Sequence, residues 1–282
     1  MTPAEIEVLV RHLVQRHGLT KVRLTGGEPT SRSDLLEIVT RLAKVEGLTE
    51  LAMTTNGLTL AGHARTLAQA GLHRVNISLD SLDPERFSRM TGIDALPRVL
   101  AGIAAARSAG LLPVKLNAVV VRGENLEELP QLVTFAAQEN LEIRFIELMP
   151  MGPLAGSWAK RYVAEAEMRD VLAPLVAQWE SLGAGRSPAH RYRLVLADGR
   201  SVNVGFITAM SCHFCDACNR MRIAADGTFY PCLMDRPAGT LLPALRPTWD
   251  PQRFDALLRE GLQQKAATHP AVGVGVMTSI GG

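Results

Sequence analysis

The chain has 282 residues, 47% of them hydrophobic, enough to bury one large core and a modest extra module. Its 30 basic and 28 acidic residues leave a net charge of +2, which excludes a general affinity for nucleic acid. The apolar runs are short and interrupted, so no membrane span is expected, and Met1-Thr2-Pro3-Ala4-Glu5 lacks the basic flank and apolar core of a signal peptide.

Thr2, Pro3 and Glu5 predict a helix start with a capping box. Ile6, Leu9, Val10, Leu13 and Val14 supply one apolar face of a helix ending near Gly18. Residues 22–25 read as a strand, followed by the turn Gly26-Gly27-Glu28-Pro29 and a helix over 34–44. The unit then repeats: strand 51–55 with the turn Asn56-Gly57, a helix to Gly71, strand 74–80, helical stretches 84–90 and 95–109, strand 114–121, helix 126–138 and strand 142–148. Such alternation implies parallel βαβ crossovers. A chain that opens on a helix in this series is expected to lack the strand that should precede it.

The strands carry two different faces. Val22/Leu24, Val75/Ile77/Leu79, Val114/Leu116 and Ile143/Phe145 make one face apolar, whereas Arg23/Thr25, Thr54/Asn56, Asn76/Ser78/Asp80, Lys115/Asn117 and Arg144 occupy the alternate positions. If the sheet curls, the polar face becomes a wet, cationic lumen. Arg23, Lys115 and Arg144 facing inward call for an anion, with a polyphosphate the obvious one, or else for internal ion pairs with residues such as Glu28, Asp80 and Glu147.

After Met149-Pro150-Met151-Gly152-Pro153 the repeat stops. A helix over 163–179, a linker or hairpin entry over 181–188, and short alternating segments at 191–196, 201–208 and 220–224 predict a small antiparallel module carrying the cysteines. The expected organisation is a partial βα barrel over 1–153 and a C-terminal module over 154–282.

All four cysteines fall between Cys212 and Cys232. Spacings of x2, x2 and x13 serve to converge thiolates on a metal, and Asp226-Gly227 reverses the chain so that Cys232 returns beside Cys215 and Cys218. Clustered thiols suit a reducing cytoplasm and a metal better than disulfides. Spacing alone also admits a closed zinc knot using all four. Arg220 and Arg222 alternate after the second thiol and are expected on one strand face at the mouth of the site.

Set side by side, the stretches KVRLTGGEPTSRSDL, MTTNGL, RVNISLDSLDPERF, VKLNAVVVRG, IRFIELMPMG, FCDACNRMRIAADGTFYPCL and the closing IGG resemble, in order, the GTP 3′,8-cyclase family of molybdenum cofactor biosynthesis, which are radical S-adenosylmethionine (SAM) enzymes. The resemblance implies an α/β fold, an incomplete TIM-like parallel barrel closed by a small C-terminal cysteine-bearing α+β module. It implies SAM contacts at Gly26, Gly27, Glu28, Ser78 and Met149, and Thr54 as a residue of the same pocket, counted with Arg23, Lys115, Arg220 and Arg222 as the GTP-binding set. Cys215, Cys218 and Cys232 match the three ligands of a second [4Fe-4S] cluster whose open iron meets the guanine. Arg144 and the tail residues Gly281 and Gly282 match catalytic positions. The product implied is (8S)-3′,8-cyclo-7,8-dihydroguanosine 5′-triphosphate, handed to a cyclic pyranopterin monophosphate synthase as pathway partner; a homodimer is compatible with the family, and neither nucleic acid nor membrane is a partner.

The family's first [4Fe-4S] cluster is held by CxxxCxxC upstream of every residue here, and Cys212-x2-Cys215-x2-Cys218 does not match that spacing. The polypeptide as written is therefore expected to be inactive and truncated at its start. Cys212 is either a bystander or a fourth ligand at the open iron. The alternatives to a cyclase are a non-catalytic nucleotide- and metal-binding protein and a radical SAM peptide maturase, the latter usually with more cysteines.

Overall fold

The computed structural model describes residues 1–183 and 189–273. Helix α1 (Pro3–His17) starts as expected: Thr2 Oγ1 accepts from Glu5 N–H at 3.2 Å, while Thr2 N–H donates to Glu5 at 2.7 Å. It ends at Gly18, whose φ of 67° is the left-handed cap that glycine adopts without penalty. There follow β1 (Lys21–Leu24), α2 (Leu35–Leu42), β2 (Glu50–Thr55), α3 (Leu60–Gln69), β3 (Arg74–Ser78), α4 (Pro84–Thr91), α5 (Leu96–Ser108), β4 (Lys115–Val120), α6 (Leu129–Gln138) and β5 (Glu142–Glu147). All five strands pair in parallel in sequence order.

Parallel pairing brings residues of like parity side by side. Leu51, Met53, Val75, Ile77, Leu116 and Ile143 are fully buried on the helix side of the sheet. At roughly 1.5–3 kcal/mol for each buried aliphatic side chain, this layer is the main stabilising element of the fold. The opposite parity carries the polar lane, so the two-faced pattern read from the sequence is the arrangement in space.

Beyond β5 the chain departs from expectation. The helix predicted over 163–179 is shorter: after α7 (Trp158–Arg161) comes α8 (Glu165–Leu172), then a 3₁₀ turn and β6 (Val176–Ser181). Pro174 cannot donate the next helical hydrogen bond, and Trp179 pairs with Leu194 instead. β6 is followed by β7 (Ala189–Leu196) and β8 (Ser201–Ile207). These last two strands, expected in a separate cysteine module, extend the main sheet in the order β1-β2-β3-β4-β5-β8-β7-β6, with β8 parallel to β5. The sheet is open, with β1 and β6 at its edges. A second, three-stranded sheet holds β9 (Arg222–Ile223), β10 (Thr228–Tyr230) and β11 (Gly239–Thr240). The hairpin at Asp226-Gly227 forms as predicted, Gly227 taking a φ of 83°.

The chain then crosses to its own beginning through α9 (Leu242–Leu245) and α10 (Pro251–Gln263). The Met1 amino group meets the Ala225 carbonyl, Arg246 pairs with Glu5 at 2.6 Å, and Asp255 meets His12 at 2.7 Å. The segment that follows the cysteines is thereby fastened to the N-terminus and α1, beside the edge strand β1.

Candidate active site

The polar lane is a charged network. Lys115 and Arg144 share one carboxylate, Glu142, at 3.0 and 2.7 Å. Arg74 donates to Glu50 at 2.7 Å and to Asn76 at 2.9 Å, and Asn76 donates to Thr54 at 3.1 Å. The internal ion pairs weighed from the sequence thus exist, with Glu142 and Glu50 as partners in place of Glu28, Asp80 and Glu147. They do not balance the charge: Arg23, Arg74, Lys115, Arg144 and Arg220 are five cations against two carboxylates, an excess of three. Crowding by the protein, with Arg74, Arg144 and Arg220 as cationic neighbours, pulls Arg23 down to about 10, although the residue as a whole keeps solvent-accessible surface. Lys115 is pulled down to about 8, by burial first and by Arg144 next, against the opposing pull of Glu142. Gly205 makes room for this: a Cβ there would sit 3.3 Å from Arg144 Cγ. On the same lane the Asn117 side-chain oxygen is buried without a hydrogen-bond partner, an acceptor facing nothing that donates.

At the C-terminal ends of the strands, the Gly26-Gly27-Glu28 turn is tied to β2. Glu28 accepts from Thr30 N–H at 3.0 Å, Thr55 O–H at 2.7 Å and Asn56 N–H at 2.7 Å, so its carboxylate positions the turn. Gly26 has a φ of 114°, and a Cβ there would meet nothing within 4 Å, leaving backbone open to a ligand. Ser78 is exposed at the end of β3, whereas Thr54 is buried and its hydroxyl is engaged by Asn76. Met149 packs with Met151, Met210, Met234 and Cys232, a thioether-rich cluster joining the end of β5 to the cysteine segment.

Glu147, also at the end of β5 and 1% exposed, accepts from Met210 N–H and Ser211 N–H, both at 2.8 Å, from the Ser211 hydroxyl, and from Glu165 N–H at 3.1 Å. It therefore fixes the point at which the cysteine segment begins. Lys265, just past α10, fixes the middle: its ammonium donates to the carbonyls of Cys218 and Arg220, each at 3.0 Å, and lies 3.6 Å from Cys218 Sγ.

All four cysteines are free thiols. Cys215 opens a single 3₁₀ turn, and Cys218 N–H donates back to Cys215 O at 3.0 Å. For Cys218, burial raises the pKa, but the backbone hydrogen bond at Arg220 and the charges of Arg220 and Lys265 together prevail and lower it, favouring thiolate. Arg222 feels the charges of both Cys232 and Cys218, so both thiols lie near its guanidinium. No three of the four sulfurs lie within 4.8 Å of one another. A tetrahedral zinc at about 2.3 Å would draw its sulfurs to roughly 3.8 Å, closer than any three of them stand here. Arg220 precedes β9 and stacks its guanidinium over Phe214 at 4.8 Å, while Arg222 opens that strand, so the pair flanks the cysteines without sharing a strand face. Gly281 and Gly282 lie outside the described residues.

Arg74, Glu50 and Glu142 escaped the sequence reading although the period-two pattern contains them: each is the first residue of its strand, Arg74 and Glu142 one step before Asn76 and Arg144, and Glu50 two steps before Thr54. Glu147 and Lys265 gave no local signal, because their partners lie 63 and 47 residues away.

A parallel βα sheet with a cationic concave face, a Gly-Gly-Glu-Pro turn after β1 and a cysteine segment at its mouth defines a radical SAM protein. Residues 1–136 match the model of the Radical SAM superfamily, and 141–271 match that of Molybdenum Cofactor Synthesis C. The fold is similar to SuiB of Streptococcus suis bound to S-adenosylmethionine, with a TM-score of 0.58 and 14% identity over 91% of this chain and 60% of that one. The chain is 39% identical to the GTP 3′,8-cyclase of Alkaliphilus metalliredigens, over 95% of this chain and 81% of that protein. It is 43% identical to that of Pelotomaculum thermopropionicum, over 94% and 81%. The chain belongs to the GTP 3′,8-cyclase family, enzymes of molybdenum cofactor biosynthesis.

Proposed function

We propose that the concave face binds GTP, with its triphosphate on Arg23, Lys115 and Arg144 and its guanine toward the cysteine segment beside Arg220 and Arg222. The observation that carries this reading is the surplus of positive charge along the lane: Arg74, Lys115 and Arg144 outnumber Glu50 and Glu142 inside it, and Arg23 and Arg220 add exposed guanidinium groups at its rim, an arrangement that suits a polyanion. Asn117 offers its orphaned oxygen to a hydroxyl or N–H of the nucleoside, and Arg144, held by Glu142, keeps its charge oriented toward the reacting sugar. Thr54 supports the pocket through Asn76.

Cys215, Cys218 and Cys232 would hold a [4Fe-4S] cluster, whose chemistry when bound is to offer an iron with a free site to the base. Gly26, Gly27, Ser78 and Met149 would line the SAM site, with Glu28 bracing the turn, and Gly281 and Gly282 would enter from the tail. Residues 1–153 then carry SAM and phosphate contacts, and 154–282 carry the cluster, the two halves sharing one sheet. We place the protein in the cytoplasm, as a supplier of its cyclised nucleotide to cyclic pyranopterin monophosphate synthase; no described helix is long and apolar enough to cross a membrane.

The test is anaerobic reconstitution followed by iron and acid-labile sulfide analysis and equilibrium binding of GTP. Iron and sulfide should be lost in C215A, C218A and C232A, and GTP should perturb the cluster spectrum of the wild type. R23A and R220A should each weaken GTP by about 10- to 100-fold, the scale of a charge-assisted contact. Zinc bound by all four sulfurs, or unchanged GTP affinity in both arginine variants, would sink the reading.

A further inference from the structure

Away from the concave face, the end of α1 and the start of α10 bring together two imidazoles and a carboxylate. His12 Nε2 and His17 Nε2 both reach the same oxygen of Asp255, Oδ1, at 2.7 and 2.8 Å. With all three donor atoms within 4.8 Å of one another, this is the one such group of three or more His, Cys, Asp or Glu among the described residues. His12 is largely buried, its ring walled edge-on by Trp249 and Phe254 at 5.2 and 5.3 Å, while His17 and Asp255 open to solvent and leave a path for entry. Both rings thus converge on one oxygen of the Asp255 carboxyl.

We propose that His12, His17 and Asp255 form a site for a divalent transition metal, with zinc the ion its donors fit, clipping the C-terminal half of α1 to the second turn of α10. Two imidazole nitrogens and a carboxylate oxygen are a common donor set for such an ion, with a water completing the fourth position. Around a tetrahedral zinc at about 2.0–2.1 Å, neighbouring N and O ligands stand about 3.3 Å apart, so each contact to Oδ1 opens by roughly half an ångström. The short, two-torsion side chain of Asp255 supplies that movement. His17 is the last residue of α1, where the unpaired carbonyls favour a cation, so the helix dipole acts in the same direction as the ligands. The site joins residues 243 positions apart and anchors the beginning of the helix whose far end delivers Lys265 to Cys218.

The test uses the full chain with its clusters reconstituted, so that the thiols are occupied, titrated with Co²⁺ as a spectroscopic substitute for zinc. The wild type should take up one cobalt with weak visible d–d absorption and no intense thiolate charge-transfer band, and Zn²⁺ should displace it. H17A and D255N should bind at least roughly 10- to 100-fold more weakly, since even outer-shell changes cost that much, and H17Q should behave like H17A. Zn²⁺ should raise the unfolding temperature of the wild type and leave that of the folded D255N variant unmoved. C212A should retain the cobalt signal. The proposal is overturned if the wild type takes up no cobalt at large excess, if H17A and D255N bind as the wild type does, or if the signal is a thiolate band abolished in C212A. Any of these outcomes leaves GTP binding on the concave face intact.

Discussion

From β1 to β5 each polar side chain is placed by strand register: Asn76 lies beside Lys115, and Asn117 beside Arg144, because parallel pairing aligns them over a buried apolar layer. The cysteine segment has no such frame. Its two strands β9 and β10 are two and three residues long, and its thiols are held by groups supplied from elsewhere, Glu147 at one end and Lys265 in the middle. One half of the site is thus fixed by repetition and the other by tethers. The first should fail only with the whole fold, and the second should fail alone.

The largest effect should come from breaking the frame. Phe145 is fully buried and faces Phe206 with ring centroids 5.9 Å apart, and F145A should cost about 3–5 kcal/mol in urea unfolding, with lane and cysteine segment lost in one transition. E142Q attacks the lane from its charged side. With the shared carboxylate gone, Lys115 and Arg144 are buried cations without a counterion, a loss of about 3 kcal/mol. Inorganic triphosphate should then raise the unfolding temperature more in E142Q than in the wild type; an equal rise would mean that the lane does not receive the anion.

E147Q cuts a tether. Its amide cannot accept all of the hydrogen bonds at Met210, Ser211 and Glu165, leaving donors unmet at about 2 kcal/mol in total. Thiol alkylation of the cluster-free chain should accelerate by at least about tenfold while the lane stays folded, since local opening carries the effect. If the rate changes only in step with global unfolding, the two regions are not separable in this way.

The smallest effect is a pH dependence. Lys115 titrates at about 8 in the empty lane, and a bound triphosphate raises that value. GTP affinity should therefore be constant below about 8 and fall above it, by no more than about tenfold per unit, until the bound-state value is passed. K115R, charged throughout, should abolish the slope. The unliganded fold behaves oppositely: the unfolded chain holds the proton to 10.5, so this residue's contribution to stability rises between about 8 and that value.

The sequence made the frame legible because each of its rules is local. Thr2, Pro3 and Glu5 specify a helix start within four residues, and alternation at 74–80 and 114–121 specifies which side chains share a face. Where a rule needed a distant partner, it failed. Residues 176–179 read as the end of a helix until β7 claims them for a strand, and 191–208 read as a separate module until β5 pairs with β8. The cysteines were legible as a metal-binding set, but the carboxylate that orients their loop was not, since nothing near Glu147 in the chain announces a partner at Ser211.

The seam between β5 and β8 has one more consequence. Five consecutive positions, from Glu142 to Ile146, find their outer partners only after residue 200. A piece ending at 153 would emerge with that row of amides and carbonyls bare and with Phe145 deprived of Phe206. Such an edge is a template for another copy of itself, so the piece should come out of refolding as stacked aggregate rather than as a monomeric half-enzyme.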